Sequence, residues 1–297
     1  METNMKTATQ YQNKTPAEIA HQYKKGLRAK QGLLILILLL YVADSIRGIW
    51  WADDSMADVL FKLLILIVIT FPINIWISWN FMSLNQILNQ ACDSVTYVQV
   101  MRLLGKVHKR KRNALAIRIN EASGLMWSGQ FADALALAES LRKYKMNVNY
   151  QFSLLNIRFN CYKKMENLEG AMQVKQETEA FVSSFTKASI QKTGRELLDI
   201  MDASLAFWRG DYETFCRIEE ARSARYTAKI QKVVSAVCLA DVDIAYKELE
   251  NARTRLEYAI REGGTLYVVE DARHMLAELA QKERMEGTGY GEETVKI

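Results

Sequence analysis

Hydrophobic and polar positions are unevenly distributed along this chain, and the changes in their pattern divide it. From Gly32 the residues run GLLILILLLYV without a polar face, and the apolar character continues to Trp51. A second apolar stretch covers Val59–Trp79, VLFKLLILIVITFPINIWISW. Each is close to the ~20 residues that cross a hydrocarbon core at ~1.5 Å per residue. Only residues 52–58 separate them, so two membrane helices here must fold back on each other. A cleaved signal peptide fits the first stretch poorly: a polar segment precedes it and no small-residue cleavage site follows. A helix in a soluble core would carry a polar face.

Beyond Pro72 the pattern changes. The remaining 225 residues contain no proline. They carry amphipathic segments rich in Ala, Leu, Glu, Lys and Arg, without alternating β-branched runs bounded by turn pairs. The expectation is an all-α protein with the organisation 1–31 N-terminal segment, 32–51 first membrane helix, 52–58 outside loop, 59–79 second membrane helix, 80–112 amphipathic basic linker, 113–285 helical repeat domain and 286–297 flexible tail. In the linker, Asp93-Ser94 reads as a helix start, followed by Val95, Val98, Met101, Leu104 and Val107 at spacings of three. That helix could lie on an anionic leaflet or pack on the repeats.

Charge orients the membrane segments. Residues 1–112 hold 14 Lys+Arg against 7 Asp+Glu, a balance of +7; residues 113–297 hold 25 against 27, a balance of −2. A nucleic-acid-binding domain would place the basic excess on the large soluble part, so nucleic acid is not an expected partner. Lys24, Lys25, Arg28 and Lys30 precede the first span. The loop between the spans has Asp53, Asp54 and Asp58 and no base. The positive-inside rule therefore puts both termini in the cytoplasm, of a plasma membrane of the bacterial type. Trp50 and Trp51 would sit at the outer interface, and Trp76 and Trp79 at the inner one. Asp44, Arg47 and Lys62 fall in the outer halves of the spans. They read as a structural ion cluster, with a transport or sensing role as the alternative. Pro72 and Asn74 are expected to kink the second span.

Four segments repeat a pattern: Ser128-Gly129-Gln130-Phe131…Ala134, Glu166-Asn167-Leu168…Ala171, Arg209-Gly210-Asp211-Tyr212…Phe215 and Ala240-Asp241-Val242…Ala245. Each places a turn residue, then a bulky apolar residue to fill the gap between two helices, then usually an Ala that lets them approach. On these segments residues 113–262 resemble the tetratricopeptide-repeat family, with a closing helix at Thr265–Arg284. The resemblance implies an α-solenoid of stacked helix–turn–helix units of ~34 residues. The bulky residues at 131, 168, 212 and 242 are spaced 37, 44 and 30 apart, and Phe215 stands where the family has a small residue. A generic α-solenoid or an irregular bundle fits the same pattern. The resemblance also puts Asn156, Asn160 and Lys163, at i, i+4 and i+7, on a concave face that could hold a partner's backbone or carboxylate. A solvated polar stripe is the plainer alternative.

Catalytic chemistry is not signalled. HExxH, GxSxG and GxxxxGK[ST] are absent. Cys92, Cys161, Cys216 and Cys238 form no CxxC pair and read as reduced thiols on helices. Gly287-Thr288-Gly289-Tyr290-Gly291 lacks the preceding strand of a dinucleotide site. Asp241 and Asp243 read as a helix cap in a turn rather than a catalytic dyad. No catalytic residue, cofactor or metal is expected. The expected partners are the lipid bilayer and an unidentified protein or peptide, and the expected role is a membrane-anchored interaction scaffold. A membrane enzyme using His108 or His274 is the rival.

Overall fold

The computed structural model describes residues 11, 13–50, 55–106 and 111–289. Among them there are twelve α-helices and no strand: α1 Pro16–Trp50, α2 Met56–Asn89, α3 Ser94–Gly105, α4 Lys111–Trp127, α5 Phe131–Leu141, α6 Val148–Lys164, α7 Leu168–Ser183, α8 Ala188–Trp208, α9 Tyr212–Ser223, α10 Lys229–Ala245, α11 Leu249–Glu262 and α12 Tyr267–Gly289. The chain divides into two compact units between Gln86 and Ile87. The expectations for Trp51, Asp53, Asp54, His108 and residues 290–297 lie outside the described residues, as do those for the side chains of Trp50, Asn74, Trp76, Trp79 and Lys109–Arg112.

In the first unit, α1 starts well before the apolar stretch. Thr15 and Glu18 form a reciprocal cap there: the Thr15 backbone N–H donates to Glu18 Oε2 at 2.7 Å, and the Glu18 N–H to Thr15 Oγ1 at 3.3 Å. The helix then runs unbroken through a segment with a mean hydropathy of 1.7, long and apolar enough to cross a membrane and only 6% buried. Leu36, Leu39 and Leu40 on α1 face outward, as do Phe61, Val68 and Phe71 on α2. Side chains of α1 and of the residues just before it meet α2. The Tyr11 and Ser83 hydroxyls are 2.9 Å apart, the rings of Tyr23 and Phe81 meet edge-on at 6.3 Å, and Lys62 Nζ lies 3.0 Å from Asp44 Oδ2. Asp44 thus pairs across helices. Pro72 lies inside α2.

The second unit is a succession of helix pairs joined by one recurring turn. At Cys92, Gly129, Glu166, Gly210 and Lys247 the backbone enters the left-handed region, with φ of 55, 82, 58, 75 and 64°. The next residue's N–H reaches back to a carbonyl of the preceding helix: Gln130 to Leu125, Asn167 to Tyr162 and Asp211 to Ala206 at 2.9 Å, and Glu248 to Asp243 at 2.7 Å. Asp93 makes the same bond one residue wider, to Ile87 at 3.0 Å. These bonds satisfy carbonyls that a helix end leaves open, which is the reason the turn recurs. The turns at 92, 129, 166, 210 and 247 are 37, 37, 44 and 37 residues apart. The long interval contains α8, with 21 residues where α4, α6 and α10 have 17.

This register corrects the fourth expected turn. Ala240–Ala245 lies inside α10, and the chain reverses at Tyr246–Glu248 instead. Lys247 takes the left-handed position there, with Leu249 and Ala252 following at the offsets of Phe131 and Ala134. Asp241 and Asp243 therefore lie within the last two turns of α10 and are not caps. Asp243 is buried and accepts from Arg255 Nε at 2.7 Å. The packing role is also redistributed. The residue five after each turn fills the gap between paired helices: Tyr97, Ala134, Ala171, Phe215 and Ala252 are all buried. Leu168, two after its turn, is 40% exposed.

α3 packs on α4, with Val98 in a core shared with Ile119, Ala122 and Leu125. Asp93 caps α3 by accepting the Thr96 N–H at 3.0 Å. α6 sits in the middle of the array. Its Leu154, Ile157 and Cys161 join the core of α4 and α5, and its Phe152, Leu155 and Phe159 join that of α7 and α8. At the other end α12 continues to Gly289, into the segment expected as a tail. The loop before α12 returns to the start of the array. The Thr265 N–H donates to the Cys92 carbonyl at 3.0 Å, and Ser94 Oγ donates to the Thr265 carbonyl at 2.7 Å.

Candidate functional site

Because α6 is buried on two flanks, only a narrow third face remains, and it carries Asn156, Asn160 and Lys163. The structure brings these three together as the spacing requires. All are half-buried. Asn160 Nδ2 donates to the Asn156 carbonyl at 2.8 Å and to Asn156 Oδ1 at 3.0 Å. That fixes the orientation of the Asn160 amide along the helix and leaves its own oxygen available.

Helices α10 and α12 supply the rest of the surroundings. Desolvation lowers the Lys163 ammonium below the usual lysine range, and Cys238 of α10 only partly opposes it. Burial pushes the Cys238 thiol up, and the nearby lysine only partly opposes it. Lys164 Nζ pairs with Asp271 Oδ2 at 2.8 Å and lies 4.7 Å from the centre of the Tyr267 ring. Tyr267 stacks on Trp127 at 6.0 Å and meets the edge of Phe131 at 5.0 Å. Burial raises its phenol and also raises the half-buried Asp241 carboxyl. The first residue of α12 is thus wedged against α4, α5 and α6.

Sequence reasoning missed this wedge. Tyr267 and Asp271 follow a Gly-Gly turn, and no local pattern ties them to Trp127 or Lys164 some hundred or more residues earlier. It also missed an ion network. The Arg158 side chain, 6% exposed, lies 2.6 Å from Glu139 and 2.7 Å from Glu177, and Arg142 reaches the same two carboxylates. A charge inside the apolar face of α6 was its one legible sign. Glu219 is likewise buried, accepting from Tyr226 Oη at 2.5 Å and Arg222 Nη1 at 2.8 Å.

An open cleft of about 450 Å³ between α7, α8 and α9 is lined by Lys175, Asp202, Arg209, Asp211 and Arg217. Its charges are partly satisfied: Lys175 pairs with Glu179 at 2.5 Å and Asp202 at 3.2 Å, and Asp211 caps α9 by accepting from Thr214. His274 is exposed beside Glu278, 3.4 Å away. Among the described residues, no group of three His, Cys, Asp or Glu side chains could hold a metal ion. No protein-family model, curated protein or solved structure matches the chain.

Proposed function

We propose that this chain is a membrane-anchored interaction scaffold. Its α1–α2 helices form a transmembrane hairpin, and α3–α12 form a tetratricopeptide-like solenoid on the cytoplasmic side that holds a protein or peptide partner. The observation that carries the proposal is the left-handed turn recurring between helix pairs. A stack of such pairs presents one helix of each pair along an inner surface, and repeat arrays use that surface for recognition. The outward-facing Leu, Ile and Phe side chains of α1 and α2 favour lipid as their surroundings, because exposed apolar surface on this scale is costly in water. The Asp44–Lys62 pair supports a structural role for the intramembrane charges over transport, since each ion supplies the other's partner.

The partner-facing strip runs along Asn156, Asn160 and Lys163. Photocrosslinking tests this in intact membranes, with a photoreactive residue at Asn160 and a control on the outer face at Glu169. A discrete adduct from position 160 alone is expected. No adduct at 160, or equal adducts at both positions, would remove the main support for a scaffold.

A further inference from the structure

The N-terminal third of α1 has two unlike faces. Ile19, Ala20, Tyr23, Leu27 and Lys30 are buried, while His21, Lys25 and Arg28 are exposed and Lys24 is half-buried. At ~100° per residue, positions 21, 24, 25 and 28 fall within an arc of ~100° that faces roughly away from the buried stripe. None of the four makes an ion pair among the described residues. Glu18, the carboxylate nearest to them on this helix, is already engaged by the Thr15 backbone and hydroxyl. Among the described residues the stripe is therefore a cationic surface without a paired counter-charge.

Its position relative to the apolar segment is fixed by the helix itself. α1 continues without a break into Gly32, where the apolar run begins. Arg28, Lys25 and Lys24 are four, seven and eight residues before it, or ~6, ~10 and ~12 Å along the axis. The polar headgroup layer is several ångströms deep and the surface potential of an anionic leaflet extends a Debye length of ~8 Å beyond it. With the apolar run in a bilayer, a rigid helix places Arg28 in the headgroup layer and Lys25 and Lys24 within reach of its surface potential, and its buried face keeps them turned outward.

We propose that the Lys24, Lys25 and Arg28 face of α1 is a binding site for anionic phospholipid headgroups. The topology rule requires only that positive charge remain on one side. This site requires more: a fixed arc of cations on a helix that enters the bilayer. The site rests on the membrane anchor proposed above.

The test uses the full chain in vesicles of phosphatidylcholine alone and of phosphatidylcholine with phosphatidylglycerol. Two readouts are made: carbonate-resistant incorporation, and enrichment of labelled phosphatidylglycerol around the protein. The wild type should incorporate into both vesicles and enrich the anionic lipid, with the enrichment falling in high salt. K24Q/K25Q/R28Q should incorporate equally and lose most of the enrichment, on the order of fivefold for each charge removed. K25R should retain it. Incorporation with unchanged enrichment in the triple variant would overturn the headgroup site and leave the anchor standing. Failure of the wild type to incorporate into either vesicle would overturn both.

Discussion

Ser94 and Thr265 are 171 residues apart in the chain, yet the Ser94 hydroxyl donates to the Thr265 carbonyl at 2.7 Å. Thr265 Oγ1 also lies 3.2 Å from Asp93 Oδ1, the carboxylate that caps α3. The first and last turns of the helical array are fastened to each other. Ser94→Ala deletes a fully buried donor and leaves the Thr265 carbonyl short of a partner. A loss of about 1–2 kcal/mol is expected. Urea unfolding of the detergent-solubilised chain, followed by circular dichroism, measures it, and an unchanged midpoint would show that the fastening adds nothing.

Gly264 makes a second, sharper test of the same junction. Its φ is +55°, and a Cβ there would stand 2.6 Å from the Cys92 carbonyl oxygen. Gly264→Ala combines backbone strain of about 1 kcal/mol with a contact against backbone that cannot swing aside. Gly210→Ala has the strain without the contact, because nothing lies within 4 Å of its Cβ. The Gly264 variant should therefore melt at a clearly lower temperature than the Gly210 variant.

Three turns of the array use costly residues, Cys92 among them. Glu166 and Lys247 hold φ of 58 and 64°, where glycine is the unstrained choice. Lys247→Gly should raise stability by about 0.5 kcal/mol, the relief of left-handed strain outweighing the greater freedom of glycine in the unfolded chain. A lower melting temperature would mean that the Lys247 side chain makes a contribution that its exposed position hides.

Arg158 is expected to be the most sensitive charge in the array. Removing it leaves Glu139 and Glu177 with only the more exposed Arg142 as their shared counter-charge. Both carboxylates are about one-third exposed, so water softens the penalty, and Arg158→Ala should cost on the order of 2 kcal/mol. Arg158→Met, which keeps the packing, should cost less. Equal losses would assign the effect to the lost charge alone.

The buried thiols give a pH dependence. Burial pushes Cys92 up to about 11 and Cys161 up to about 12. An unfolded chain releases these protons near pH 8.5, so above that pH the folded state binds more protons than the unfolded one. Stability should be level through neutral pH and fall as pH rises from about 9 towards 11. Both thiols should also resist alkylation at pH 8 until the chain unfolds, which timed labelling with a maleimide would reveal.

Much of the helical architecture could be read from periodicity, but the register of the repeats could not. Gly129 and Gly210 announce their turns because a left-handed position favours glycine. Glu166 and Lys247 occupy the same position without announcing it, and the fourth unit was consequently placed at Asp241 rather than Lys247. The strip of Asn156, Asn160 and Lys163 was legible because three polar residues share one face of a helix. Its neighbours Cys238 and Tyr267 were not, because their approach depends on how the last helix returns to the first pairs, a long-range fact with no local pattern. Arg158 shows the same limit: its position marks it as unusual, while its carboxylate partners lie 19 residues away on either side.

The fastening of Thr265 to Cys92 and Ser94 has a mechanical side. α2 ends only a few residues before Cys92, so any tension that reaches the array along α2 arrives where its far end is tied down. An open stack pulled at one end would peel pair by pair. Here the load falls first on the hydrogen bonds at Cys92 and Ser94, and the array should yield by losing this clasp before any helix pair separates.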